Sequence, residues 1–268
     1  MVFLADHDYA ALDVPEVLLH LFHPRPEPSL AAPPAGSRNL LIPVADRAVV
    51  GARLHPAAAF APTLLFFHGN GEIVADYDEL APFYQRLSIN FLPVDYRGYG
   101  RSTGEPTITG MMRDCHEILA YIRQLLPKMG YPGPLMVMGR SLGSASALEL
   151  AAACPEELAA LIIESGFAFA GPLLQLLGVD LAAIKFQEKI GFRNVDKIKA
   201  YTGPTLIIHA EHDHIIPLSD GQALYDASGA VDKTFLKIPH ANHNDILFQG
   251  FEEYLGAIKG LAQRLRRE

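Results

Sequence analysis

Apolar residues along this chain come in short, nearly unbroken runs. Thr63-Leu64-Leu65-Phe66-Phe67, Leu135 to Met138, Leu158 to Ile163 and Thr205 to His209 are of this kind. Such runs are too short for helices and fit strands buried on both faces. Further strands are expected at Asn39 to Val44, Ala48 to Leu54, Asn90 to Asp95 and Lys233 to Ile238, the first two joined by a turn at Ala45-Asp46-Arg47. Between these runs the pattern lengthens. Met112, Ile118, Leu119, Ile122 and Leu126 fall on or near one face of a helix from about Thr109 to Pro127. Helices are also expected around Tyr77 to Leu87, over the Ala- and Leu-rich stretch Ala145 to Ala153, and from about Asp245 to Arg266.

Strands alternating with helices predict an α/β fold, a mainly parallel sheet flanked by helices on both faces. Functional residues of such sheets gather at the carboxyl ends of the strands. One site is therefore expected among the loops after Phe67, Asp95, Met138, Ile163, His209 and Ile238. Residues 37–268 form this domain, and residues 1–36 form a lead-in. Val14, Val17, Leu18 and Leu21 in the lead-in are spaced for a short helix. Pro24, Pro26, Pro28, Pro33 and Pro34 then force an extended surface connector. His7, His20 and His23 are read as surface or partly buried histidines and not as a metal cluster.

The length of 268 residues suits one such domain, and half of its residues are hydrophobic. A net charge of −8, with basic residues scattered until Arg264, Arg266 and Arg267, offers no stripe for nucleic acid. The two cysteines, Cys115 and Cys154, imply no disulfide framework and fit a reducing compartment. Met1 to Tyr9 carries Asp6 and Asp8 and lacks the pattern of a signal peptide. Leu158 to Val179, the nearest candidate for a spanning helix, is interrupted by Glu164, Gly166, Gly171 and Pro172, so no integral membrane segment is expected. The expected location is the cytoplasm.

Candidate chemistry centres on Gly139-Arg140-Ser141-Leu142-Gly143, a Gly-x-Ser-x-Gly turn with a strand before it and a helix after it. That context exposes the serine at a strained apex. The same pattern recurs at Gly100-Arg101-Ser102-Thr103-Gly104, but Glu105-Pro106 follows and no helix begins there. Ser141 is thus the candidate nucleophile and Ser102 a loop residue. A serine hydroxyl needs a base, and the base needs an orienting partner. Later strand ends offer both: Glu211-His212-Asp213-His214 after one, and His240-Ala241-Asn242-His243-Asn244-Asp245 after the next.

Phe-His-Gly-Asn-Gly-Glu, Asp-Tyr-Arg-Gly-Tyr-Gly-Arg-Ser, Gly-Arg-Ser-Leu-Gly, Glu-His-Asp-His-Ile-Ile-Pro and His-Asn-Asp stand in one order from about Leu64 onward. In this the chain resembles the α/β-hydrolase-fold serine hydrolases, in particular the small esterases and acyl-protein thioesterases with a minimal cap. The resemblance implies Ser141 as nucleophile, Asp213 as acid and His243 as general base. Glu164 is a rival for the acid and His240 for the base. It further implies an oxyanion hole from the backbone N–H of Leu142 and of Asn70 or Gly71. His68 and Gly69 are read as loop-shaping, and Asp95, Arg97 and Arg140 as a charged brace near the site. His209, His212 and His214 are read as structural, with no metal and no cofactor expected.

Ser165 to Gly203 leaves room for two or three short helices. Phe167, Phe169, Leu173, Leu174, Leu176 and Leu177 there either pack on the sheet or form an acyl-binding wall above Ser141. The expected partner is a small-molecule acyl ester or thioester. A serine peptidase on short peptides and a non-catalytic binding protein on the same fold are the alternatives.

Overall fold

The computed structural model describes residues 8–28 and 32–265. His7, Arg266 and Arg267 lie outside the described residues. In chain order the elements are α1 (Pro15–Leu21), β1 (Arg38–Pro43), β2 (Val49–Leu54), β3 (Thr63–Phe67), α2 (Ala81–Arg86), β4 (Asn90–Val94) and α3 (Ile108–Lys128). They continue with β5 (Leu135–Arg140), α4 (Gly143–Ala153), β6 (Ala160–Glu164), α5 (Ala170–Leu176), α6 (Asn194–Ala200) and β7 (Thr205–Ala210). The last are α7 (Leu218–Ala227), β8 (Lys233–Ile238), α8 (Ile246–Gln249) and α9 (Phe251–Arg264).

The strands form one sheet in the order β1-β2-β4-β3-β5-β6-β7-β8. β1 pairs antiparallel with β2, and β2 with β4; every later pairing is parallel. The apolar runs explain the layers. In β3, Leu65 and Phe67 face a core that includes residues of α3, α4, α6 and α7, while Leu64 and Phe66 face α2, α8 and α9. β5 and β6 divide in the same way, Val137 and Leu161 to the first core, Met136 and Ile162 to the second. Successive side chains point to opposite faces, so a strand covered on both sides must be apolar throughout.

Three elements depart from the expectation. The C-terminal helix is broken at Gly250, where an added Cβ would lie 2.5 Å from Ile238 Cγ2, so chain entering α9 must pass tightly over β8. The helix expected over Tyr77 to Leu87 is present as α2 but starts later, and a single 3-10 turn, Val74–Tyr77, precedes it. And α7, which no apolar periodicity announced, supplies the crossover that parallel β7 and β8 require.

The lead-in is packed as well as connected. Tyr9, Leu12, Val17, Leu21 and Phe22 are buried in the core shared with α3 and α4. Tyr9 Oη donates to Glu149 Oε2 at 2.7 Å, and Lys197 Nζ lies 2.8 Å from the same oxygen, tying the lead-in to α4 and α6. His20 and His23 are exposed, as read from the sequence. The connector after Phe22 runs along the surface but is bonded down. Gly100 N donates to Arg25 O at 2.9 Å, and Glu27 N to Gly100 O at 3.0 Å.

Candidate active site

The turn from β5 into α4 is as tight as its glycines require. A Cβ on Gly139 would lie 2.3 Å from Gly143 O, and one on Gly143 would lie 2.1 Å from Phe67 O. Between them Ser141 has φ 51°, a left-handed conformation that a side chain disfavours. Its N–H donates to Glu164 O at 2.9 Å, which anchors the apex to β6.

Ser141 Oγ lies 3.0 Å from His243 Nε2. On the other side of that ring, Nδ1 lies 2.8 Å from Asp213 Oδ2 and 3.0 Å from Oδ1. An ionised carboxylate only accepts, so Nδ1 carries the proton and Nε2 is left to accept from the serine. The Asp213 side chain is fully buried. Burial works to raise its pKa, but the hydrogen bonds from His243 and from the N–H groups of Ile215 and Ile216 bring it below the ordinary value. The structure brings these three side chains together and leaves both rivals elsewhere. Glu164 is engaged by Arg140 at 3.2 Å and by Tyr254 Oη at 2.6 Å. His240 is exposed, with its N–H on Glu211.

The N–H of Leu142 precedes the first turn of α4, where the helix itself supplies no acceptor. Across from it, the loop after β3 is held from several sides. Asn70 Oδ1 accepts from His23 N at 2.9 Å and from Tyr99 Oη at 2.7 Å, and Gly71 O accepts from Arg25 Nε at 2.7 Å. Gly69 N donates to Glu72 Oε2 at 2.6 Å. His68 is buried beside the Tyr96 and Tyr99 rings, with Nδ1 2.8 Å from Gly69 O.

The expected charged brace is divided. Asp95 turns toward the β3 loop, accepting from Val74 N at 2.9 Å with His68 Nε2 at 3.4 Å. Arg97 turns toward α3 and pairs with Asp114 at 2.6 Å. Arg140 has carboxylate partners of its own, Glu72 and Glu164.

Phe167, Phe169 and Leu173 line a pocket of about 260 Å³ whose wall also includes Leu176, Ile215 and Asp213. Phe169 is 43% exposed, whereas Phe167 is buried against Phe192. Asp220 holds this wall in place by accepting from Ala168 N at 2.7 Å. A second groove, of about 390 Å³, lies on the Arg140 side and carries Glu72, Asp76, Glu79 and Glu164. Glu72, Asp76 and Glu79 follow one another in the chain after β3, and Glu164 joins them only in the fold. Of the histidines set aside, His209 is buried with Nε2 2.9 Å from Ile216 O, and burial lowers its pKa. His212 and His240 approach Glu211 closely enough to share a cation, but that carboxylate already accepts from Lys237 Nζ at 2.6 Å. Among the described residues, no helix is long and apolar enough to cross a membrane.

A family model described as serine aminopeptidase, S33, matches residues 59–190. The protein bem46 of Schizosaccharomyces pombe is 30% identical over 191 residues, covering 69% of this chain and 62% of its own length. The human α/β hydrolase domain-containing protein 17B is 32% identical over 213 residues, covering 77% of this chain and 67% of its own length. The chain thus spans about two thirds of these relatives. An esterase of Pyrococcus furiosus superposes with a TM-score of 0.69 at 16% identity, over 90% of this chain and 98% of its own. Est1E from Butyrivibrio proteoclasticus, bound to ferulic acid, does so with a TM-score of 0.66 at 16% identity, over 85% of this chain and 100% of its own. Sheet order, elbow and relatives agree, and the chain belongs to the α/β-hydrolase family.

Proposed function

We propose that this chain is a serine hydrolase that cleaves carboxylic esters or thioesters through an acyl-Ser141 intermediate. The observation that carries this reading is the row Ser141 Oγ, His243 Nε2 and Asp213, with contacts of 3.0 and 2.8 Å. As Ser141 Oγ attacks the acyl carbon, His243 Nε2 takes its proton. The oxyanion that forms is met by the N–H of Leu142 and of Asn70 or Gly71, backbone donors that stabilise the charge as it develops. Collapse expels the alcohol or thiol, which leaves with the proton from His243. Water then attacks the acyl-enzyme with His243 again as base, and Ser141 is regenerated. Asp213 holds the imidazole in its tautomer and stabilises the imidazolium. The pocket beside Phe169 and Leu173 is assigned to the acyl group, and the small-molecule substrate is an acyl ester or thioester. Unpaired Cys115 and Cys154 support a cytoplasmic setting.

A fluorophosphonate probe tests the assignment. It is expected to label the wild type and not Ser141→Ala, and labelling that persists in Ser141→Ala sinks the reading. A second reading, an aminopeptidase, draws on the family description and on the acidic groove, whose carboxylates suit a substrate amine. Against it, Glu72 and Glu164 are already paired with Arg140. Faster turnover of aminoacyl-nitroanilides than of p-nitrophenyl acyl esters would favour the peptidase.

A further inference from the structure

Arg140 ends β5, immediately before Ser141, and its side chain is only 12% exposed. It spans three parts of the site. Nη1 lies 3.2 Å from Glu72 Oε1, Nε lies 3.2 Å from Glu164 Oε1, and Nη2 donates to the carbonyl of His243 at 2.9 Å. Each partner passes the constraint on. Glu72 accepts from Gly69 N at 2.6 Å and from Tyr77 Oη at 2.6 Å, so it grips the loop after β3. Glu164 accepts from Tyr254 Oη through its carboxylate and from Ser141 N through its backbone carbonyl. The third acceptor belongs to the base itself.

We infer that Arg140 is a positioning residue for acyl transfer: one guanidinium fixes the oxyanion loop, the serine apex and the histidine against one another. This rests on the serine-hydrolase reading above. A guanidinium suits the task because its planar fork reaches acceptors in separate directions, which an ammonium on a flexible stem does not. Residue 69 makes room for it. A Cβ on Gly69 would lie 2.9 Å from both Arg140 Nη1 and Glu72 Oε2, so any other residue would wedge the pair apart. Burial disfavours the cation, but Glu72 and Glu164 outweigh it and hold the guanidinium protonated.

The 390 Å³ groove beside the site is lined by Arg140, Glu72 and Glu164 together, so truncating Arg140 leaves a cavity that solutes can enter. Arg140→Ala is expected to lower kcat for a p-nitrophenyl ester about 100-fold, the scale of a small misplacement of reacting groups. KM should stay within about threefold. Millimolar guanidinium should restore about tenfold of the loss and leave the wild type unaffected, a response that a residue needed only for folding would not give. Arg140→Lys, which keeps charge and loses the fork, should lose about tenfold. If Arg140→Ala does not fold, Glu72→Gln carries the test and should lower kcat about tenfold at unchanged circular dichroism. A kcat near wild type in the folded variant, or a loss that guanidinium does not repair in Arg140→Ala, overturns the inference. Ser141→Ala separates the two levels. Turnover surviving in Ser141→Ala defeats the hydrolase reading, whereas an inert Ser141→Ala beside a fully active Arg140→Ala defeats only the role of Arg140.

Discussion

Gly100-Arg101-Ser102-Thr103-Gly104 and Gly139-Arg140-Ser141-Leu142-Gly143 share a pattern and differ in everything around it. At the second, a strand enters, a helix leaves, and Ser141 is held at φ 51° with its hydroxyl on an imidazole. At the first, the chain leaves β4 and stays in a loop. Ser102 Oγ accepts from Gly51 N at 2.9 Å, and Thr103 N donates to Val49 O at 2.9 Å, so this copy clasps the loop to β2. The arginines diverge likewise. Arg101 pairs with Glu27 of the lead-in, Arg140 with two carboxylates of the site. Five residues therefore do not define an elbow; the elements on either side do, because they decide whether the hydroxyl meets a backbone amide or an imidazole.

The largest expected effect separates the copies outright. Ser141→Ala should lower kcat about 10⁶-fold, the scale seen when a serine nucleophile is removed, and ester turnover near wild type would break the comparison. Asp213→Asn should cost about 10⁴-fold, because an amide favours the wrong histidine tautomer; pre-steady-state acylation rates would report it. The glycines come next. Gly143→Ala places a methyl against the backbone carbonyl of Phe67, and a loss of about 3 kcal/mol in urea unfolding is expected. Ser102→Ala should leave turnover within about twofold, yet cost about 1 kcal/mol by orphaning the Gly51 amide.

The smallest effect is one of pH. Burial works to raise the Glu27 pKa, but the hydrogen bonds from Arg101 and Arg53 bring it below the ordinary value. A carboxylate lowered on folding stabilises the fold above its unfolded pKa and loses that contribution as pH falls through the folded value. The melting temperatures of wild type and Glu27→Gln should therefore differ at neutral pH and converge in acid. A difference that persists in acid would show that the Arg101 contact is not ionic.

Much of this was readable from residue order, and the failures have physical causes. Ser141 was legible because local context, strand then helix, is written next to it. His243 was legible through the residues after it, since Asp245 accepts from Asn242 N at 2.7 Å just ahead of α8. Helix α7 was not, because Gly221 interrupts its pattern. That glycine is there for packing: a Cβ would lie 2.4 Å from His209 Nδ1. Nor was the Arg140 hub, whose acceptors at positions 72, 164 and 243 carry no mutual signal along the chain.

His23 is made 47 residues before the Asn70 it binds, and the bonds of Arg25 and Glu27 to Gly100 wait longer still. On the ribosome this strap emerges early, with nothing yet to lie on. It docks only after β3, β4 and the loops beyond them exist, so the strap is made well before its berth, and what it then fastens is the loop that carries Asn70.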